Sequence, residues 1–283
     1  MQKNALSVAI LAAMPVLSSA ETLEPVSVTA TKSARAVSDV PQAVTVIDSE
    51  ELETRAVRHI NDALKGVPGV TAISKNGGYD SRLIIRGAGL KAPYGVREIM
   101  VLRDGVPMTD PDSFTRFDFV DVDDMESVEV FKGPGSIEAA NASGGVISIR
   151  SRSVFDHKAD ALKVGVGSFG AKRASVRKSW DVGADDALAL SVSHRRSDND
   201  WREWNDFDTT QASLKWGHFF ADDSVLETEL AYTVANLQLP GSLNDNGFDY
   251  YRKTGKTRNQ TSDTGSAFVK SGRYSHILFG NSR

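Results

Sequence analysis

Cysteine is absent from this 283-residue chain, which excludes disulfide frameworks, zinc–thiolate sites and cysteine nucleophiles. Proline is scarce, 9 residues against 23 glycines, so turns must lean on glycine. There is no excess of positive charge: 33 Lys+Arg stand against 37 Asp+Glu, so no global field favours nucleic acid. No segment reaches 18 uninterrupted apolar residues, which excludes spanning helices of ordinary length. What remains, 25% charged and 40% hydrophobic, matches an average soluble protein. The order of the residues is more informative than their proportions.

Lys3 precedes an apolar run from Ala5 to Leu17, and Ser18-Ser19-Ala20 places small residues before the Ala20/Glu21 bond. This is the n-region, h-region and cleavage site of a secretory signal peptide over residues 1–20. Removing Lys3 leaves 32 basic residues against 37 acidic, a mature charge of −5. The expected route is export across the inner membrane.

Two periodicities follow. From Val40 to about Arg152 short β-rich runs (Val44–Ile47, Leu83–Ile85, Ile99–Leu102, Ser127–Phe131, Gly145–Ile149) mix with helical signals. Asp48-Ser49-Glu50-Glu51 suits a helix N-terminus, where carboxylates meet free N–H groups. A second short helix over His59–Lys65 is stopped by Gly66 and Pro68-Gly69. An α+β domain is predicted. After Phe155 strict alternation takes over: Leu162, Val164 and Val166; Val176 and Trp180; Leu188, Leu190 and Val192; Leu214 and Trp216; Leu226, Leu230 and Tyr232. Tight turns at Gly183–Asp186 and Ala221–Ser224 alternate with long connections over Arg195–Thr209 and Ala235–Asn259. That layout fits an outer-membrane β-barrel, with Arg, Lys and Glu turned to a polar lumen. A soluble antiparallel sandwich alternates in the same way.

Directly after residue 20, Glu24-Pro25-Val26-Ser27-Val28-Thr29-Ala30 is short, extended and able to add to another protein's sheet edge. This segment resembles the TonB box of TonB-dependent outer-membrane receptors. Val40–Ile47 resembles the start of their plug domain. Leu64–Val70, Ile85-Arg86-Gly87, Val101–Pro107, Glu126–Pro134 and Gly144–Ile147 follow in the family's order and spacing. The resemblance implies a signal peptide over 1–20, box and linker over 21–39, an α+β plug over 40–152, and opening barrel strands over 153–283. It implies TonB and a metal chelate as partners, outer-membrane lipid as surroundings, no nucleic acid and no cofactor. A ferric siderophore is the expected cargo, with cobalamin or haem as alternatives within the family. Arg86, by the same resemblance, meets glutamates of the inner barrel wall, because a buried Arg needs carboxylate partners. Plug loops 75–81, 89–97 and 108–116 face outward in the family and carry Tyr79, Tyr94, Arg97 and Arg116. With Trp201 and Arg202 of the first long barrel connection, these are candidate contacts for an anionic chelate.

Several motifs point elsewhere and fail on context. Gly165-Val166-Gly167-Ser168-Phe169-Gly170 matches G-x-G-x-x-G, but Lys172–Trp180 alternates where a dinucleotide fold needs a helix. Gly255-Lys256-Thr257 lacks the earlier glycine of a P-loop, and no G-x-S-x-G or H-x-x-x-H occurs. No enzyme chemistry is expected. Residues 160–283 supply six or seven strands, whereas plugged transporters of this type close with 22. The sequence is therefore read as the N-terminal part of a larger barrel, from a truncated gene or a partial reading frame. The rival reading is a soluble periplasmic binding module that uses the plug fold without a barrel.

Overall fold

The computed structural model describes residues 27–28, 35–36, 42–55, 57–74, 81–92, 96–109, 115–134, 140–199, 205–222, 224–239, 244–254 and 270–279. The signal-peptide reading lies outside them. β1 (Ser27–Val28) pairs with β2 (Arg35–Ala36) in an antiparallel two-residue ladder. β3 (Ala43–Ile47) then leads to α1 (Ser49–Thr54), whose N-terminus is capped by Asp48: its carboxylate accepts the Glu51 N–H at 2.9 Å. α2 (Ile60–Leu64) ends at Gly66, φ +82°, a left-handed value that glycine adopts without steric cost. The chain continues through the hairpin β4 (Val70–Ser74) and β5 (Ser81–Ile85), then β6 (Ile99–Arg103), β7 (Val106–Pro107), β8 (Met125–Lys132) and β9 (Gly145–Ser151).

The main sheet of this domain has the order β3-β8-β9-β6-β7, with β6 and β9 parallel and the other neighbours antiparallel. Its α-helical face buries Ile47, Leu52, Ile60, Leu64, Ile99, Val101, Phe117, Val128, Val130, Ile147 and Ile149 in one cluster. Leu102, Phe131, Ala142 and Val146 form a second cluster. The central strands therefore read as continuous apolar runs, as sheets covered on both faces do.

Beyond a single turn of 3-10 helix at His157–Ala159 the chain becomes a six-stranded meander: β10 (Ala161–Val166), β11 (Lys172–Asp181), β12 (Asp186–Ser197), β13 (Phe207–Phe219), β14 (Val225–Leu239) and β15 (Lys270–Phe279). All pairs are antiparallel and in unbroken register. β11 to β14 run for 10 to 15 residues, enough to cross a bilayer at a tilt. Short turns join one end, where the Val182 and Phe220 N–H groups donate to the Asp186 and Ser224 carbonyls at 2.9 Å each. The first long connection is shorter than its sequence suggested, because β12 continues to Ser197 and β13 starts at Phe207. The second holds α3 (Asp245–Thr254), which its polar composition did not suggest. A strand, β11, follows the G-x-G-x-x-G turn, as its alternation indicated.

The meander is inverted relative to a soluble sheet. On β13, Leu214 is 47% exposed, Lys215 4% and Trp216 38%. Arg177, Glu227 and Glu229 are likewise buried while Trp180, Leu190, Leu230 and Tyr232 face out. A sandwich in water would place them the other way, so this is the face pattern of a strand between lipid and a polar interior.

Candidate functional site: the seam between domain and strands

The buried polar face of the meander packs against the α+β domain through charge rather than through an oily core. Arg103, at the end of β6, forks onto Glu229 of β14: its two terminal nitrogens lie 2.8 and 2.9 Å from the carboxylate oxygens. Paired N–H donors on one carboxylate give geometric specificity as well as attraction. Burial works against the Arg103 charge, but Glu229, Asp104 and Asp124 together more than offset it and hold the guanidinium protonated beyond its usual range. Asp124, just before β8, sits at the centre. Its Oδ2 accepts from Lys215 of β13 at 2.7 Å, and Arg103 and Arg177 each approach it to 3.6 Å. Lys215 also donates to the Arg152 carbonyl at 2.8 Å.

Backbone carbonyls supply the remaining acceptors. Arg177 of β11 donates to Ser153 at 2.7 Å and to Asp156 at 3.0 Å, pinning the linker that enters the strands. Arg195 of β12 bridges Arg58 and Asp118, at 2.6 and 2.7 Å, and Gln211 reaches Phe119 at 2.7 Å. Arg173 reaches the Val57 carbonyl at 3.0 Å and the Asp123 carboxylate at 3.3 Å. Long cationic side chains are suited to this because they span a gap between two backbones. Asp121 is half-buried in the seam and accepts from the Ser193 hydroxyl at 3.0 Å. Burial, then the neighbouring Asp124 and Asp123 charges, push its carboxyl up to about 6.

Apolar contacts also join the two parts: Val154 of the linker packs with Ala187 and Ala189 of β12, with Phe155 against them. Gly217 of β13 leaves room for Val154 and Phe155 of the linker: a Cβ there would stand 2.3 Å from Val154 and 2.8 Å from the Phe155 ring. Phe155 in turn packs on Phe219, with ring centroids 4.1 Å apart.

The residues singled out from sequence fall in different places. Of Glu24, Pro25, Val26, Ser27, Val28, Thr29 and Ala30, only Ser27 and Val28 are described, paired with Ala36 and Arg35. Tyr79, Tyr94, Trp201 and Arg202 lie outside the described residues. Arg97 is exposed. Arg116 is turned onto its own domain: it donates to Asp118 at 2.8 Å and stacks 4.1 Å over the Phe119 ring. Arg86 needs correction, because it is exposed instead of half-buried and donates to the Lys132 carbonyl at 3.0 Å. Its left-handed φ of 48° turns the chain out of β5. Among the described residues, the arginine that joins domain to wall through glutamate is Arg103. Its signal in the sequence is an Arg-Asp pair at the end of an apolar strand, a position where a charge has to find a partner. Lys215, between two outward apolar residues, carries the same signal.

An α+β domain seated on a polar strand face, with that sheet's opposite face apolar, is the arrangement of a plug against a barrel wall. Residues 36–146 match the family model described as TonB-dependent Receptor Plug Domain. The "Vitamin B12 transporter BtuB" of Vibrio vulnificus is 29% identical over 182 residues, 62% of this chain and 29% of that protein. The "Iron-regulated outer membrane virulence protein" of Vibrio cholerae is 33% identical over 141 residues, 47% of this chain and 20% of that protein. Among solved structures, the ferric yersiniabactin uptake receptor FyuA from Yersinia pestis superposes with a TM-score of 0.66 at 16% identity, covering 83% of this chain and 37% of that one. Residues 36–146 thus carry the plug domain that this model describes, and the chain shares the fold of the receptor FyuA across plug and antiparallel strands. It spans less than a third of the length of these curated relatives.

Proposed function

We propose that this chain is the N-terminal part of a receptor for active uptake of a metal chelate, energised through TonB by the proton-motive force. Residues 1–20 direct export, 21–39 hold the box and linker, 40–152 form the plug and 153–283 begin the barrel. The box at Glu24–Ala30 adds as a strand to the C-terminal sheet of TonB, main-chain hydrogen bonds giving the affinity. A ferric siderophore is the favoured cargo, since Tyr79, Tyr94, Arg97, Trp201 and Arg202 would offer cations and ring faces to an anionic complex. The names of the relatives also leave cobalamin open, and haem stays within the family's range. The chemistry is binding and mechanical work.

The observation that carries this reading is the seam. Ion pairs and hydrogen bonds such as Arg103–Glu229 and Lys215–Asp124 can exchange for water when the plug moves. An apolar contact of equal size would resist separation by its exposed area. The periplasmic-module alternative is opposed by Leu214 and Trp216, which such a protein would leave in water.

The test is uptake of radiolabelled iron, carried by a panel of siderophores, into a strain lacking its own ferric receptors and expressing the membrane-inserted protein. Uptake is expected with at least one siderophore, and to vanish on deletion of tonB or on Val26→Pro. Uptake independent of TonB, or recovery of the protein only in the soluble fraction, would refute it.

A further inference from the structure

The G-x-G-x-x-G turn between β10 and β11 lacks the helix that a nucleotide loop needs, yet it is tightly specified. Gly167 N–H donates to the Ala171 carbonyl at 2.8 Å and Ala171 N–H to the Ser168 carbonyl at 3.2 Å, closing the turn. Phe169 and Gly170 both hold left-handed φ values, +58° and +69°. A bulky residue such as phenylalanine rarely keeps that conformation, and it persists only where surrounding contacts impose it.

Those contacts come from the far end of β12. The Phe169 carbonyl accepts three donors: Asp198 N–H at 3.2 Å, Asn199 N–H at 3.0 Å and the Ser197 hydroxyl at 3.2 Å. Asn199 is itself left-handed, φ +47°, so two strained residues from different turns are bonded directly to each other. Gly170 lies flat against Asp198, where a Cβ would come within 2.3 Å of the carboxylate and 3.0 Å of the Asp198 Cβ. Asp198 is held from its other side by Arg196 at 2.9 Å. The Asn199 amide then donates to the Asn205 carbonyl at 2.9 Å and its oxygen accepts from Ser197 at 2.8 Å. The two ends of the β12–β13 connection are thereby tied together at their base.

We propose that the turn Gly167–Ala171 is a brace that fixes the neck of the β12–β13 connection, formed by Ser197, Asp198, Asn199 and Asn205. Phe169 supplies the acceptor, Gly170 the close approach, and Asn199 the crosspiece. The neck is thus held in one conformation whether or not cargo is bound, and does not swing as a hinge. The glycines serve the brace: Gly170 is required both for its φ and for its contact with Asp198, whereas nothing stands within 4 Å of a Cβ at Gly165. This assignment depends on the strand pairing alone and survives if the cargo reading fails.

Hydrogen–deuterium exchange on the protein in lipid vesicles tests it. The amides of Asp198 and Asn199 should exchange at least tenfold more slowly than those at 183–185 in the tight turn before β12. Gly170→Ala should raise the rate at Asp198 and Asn199 at least tenfold, while Gly165→Ala leaves it unchanged. Asn199→Ala, which introduces no clash, should give a smaller increase and keeps the test open if Gly170→Ala fails to insert. Fast exchange at Asp198 and Asn199 in the unaltered protein, or rates indifferent to both Gly170→Ala and Asn199→Ala, would overturn the brace.

Discussion

On β8 of the plug, Val128 and Val130 are fully buried, packed among Ile47, Ile147 and Ile149. On β13 of the barrel it is Lys215 that is buried, while Leu214 and Trp216 on either side are open. The two sheets use the same pleat but bury opposite kinds of residue: β8 and β9 are buried almost throughout, whereas β13 alternates. The plug hides its apolar residues from water in the ordinary way. The wall turns them outward and spends its polar residues on the plug. The two regions depend on each other at the join, where the wall's Lys215, Arg173 and Arg195 take carboxylates and carbonyls of the plug.

The contrast can be broken at its centre. Asp124→Ala leaves Lys215 and Arg177 buried against Arg103 without their shared carboxylate, and should cost about 3–5 kcal/mol, as removal of one member of a buried ion pair does. Urea titration of the vesicle-inserted protein, with protease susceptibility of the plug as readout, would measure it. Adding Lys215→Met to the same variant should recover part of the loss, because an unpaired charge is then removed. On the lipid side, Leu214→Arg should cost about 2–4 kcal/mol in refolding into vesicles if the residue lies near the bilayer midplane. A change within about 0.5 kcal/mol, the usual range for a surface position in water, would mean that this face does not meet lipid.

A finer probe is pH. Asp121 has its carboxyl raised from 3.8 to about 6, so the folded seam binds that proton more readily than the unfolded chain does. The charged form carries a cost above pH 6, and this is relieved as pH falls through 6. Between pH 7 and 5 the seam should gain about 1 kcal/mol from this group. His59, held below its ordinary value by burial, acts in the opposite direction. The quantity to compare is therefore the pH slope of the unaltered protein against Asp121→Asn. Equal slopes would remove the assignment. The smallest effect should fall entirely within the plug: Asp48→Ala loses the cap of α1, at about 1 kcal/mol, and leaves membrane insertion unchanged.

Much of this was open to the sequence because local chemistry decides it. Asp48 followed by Ser49-Glu50-Glu51 announces a helix start, Gly66 a stop, and the alternation from Leu162 to Tyr232 the strands. The seam was not readable in the same way. Arg103, which crosses to β14, and Arg86, which stays on the Lys132 carbonyl, both follow apolar strands, and the Asp104 beside Arg103 does not say which partner it takes. The difference lies in which end of the sheet faces the wall, a property of topology. Arg116 was misleading for a related reason: a cation in a polar loop reads as free, and only the fold brings Asp118 and the Phe119 ring around it. The lengths of the long connections were overestimated because strands such as β12 continue past the apolar belt on polar residues.

Gly217 gives the assembly an orientation. The missing side chain is a slot cut into the wall, and Val154 with Phe155 is the tooth that enters it. Ion pairs tolerate sliding, because a long cation can follow its partner by an ångström or more, but a tooth in a slot admits one angular setting. Because the linker bearing that tooth runs directly into β10, the chain sets the plug's rotation at the point where it becomes barrel. The plug is thereby keyed to the barrel before any of the surrounding salt bridges has to choose its partner.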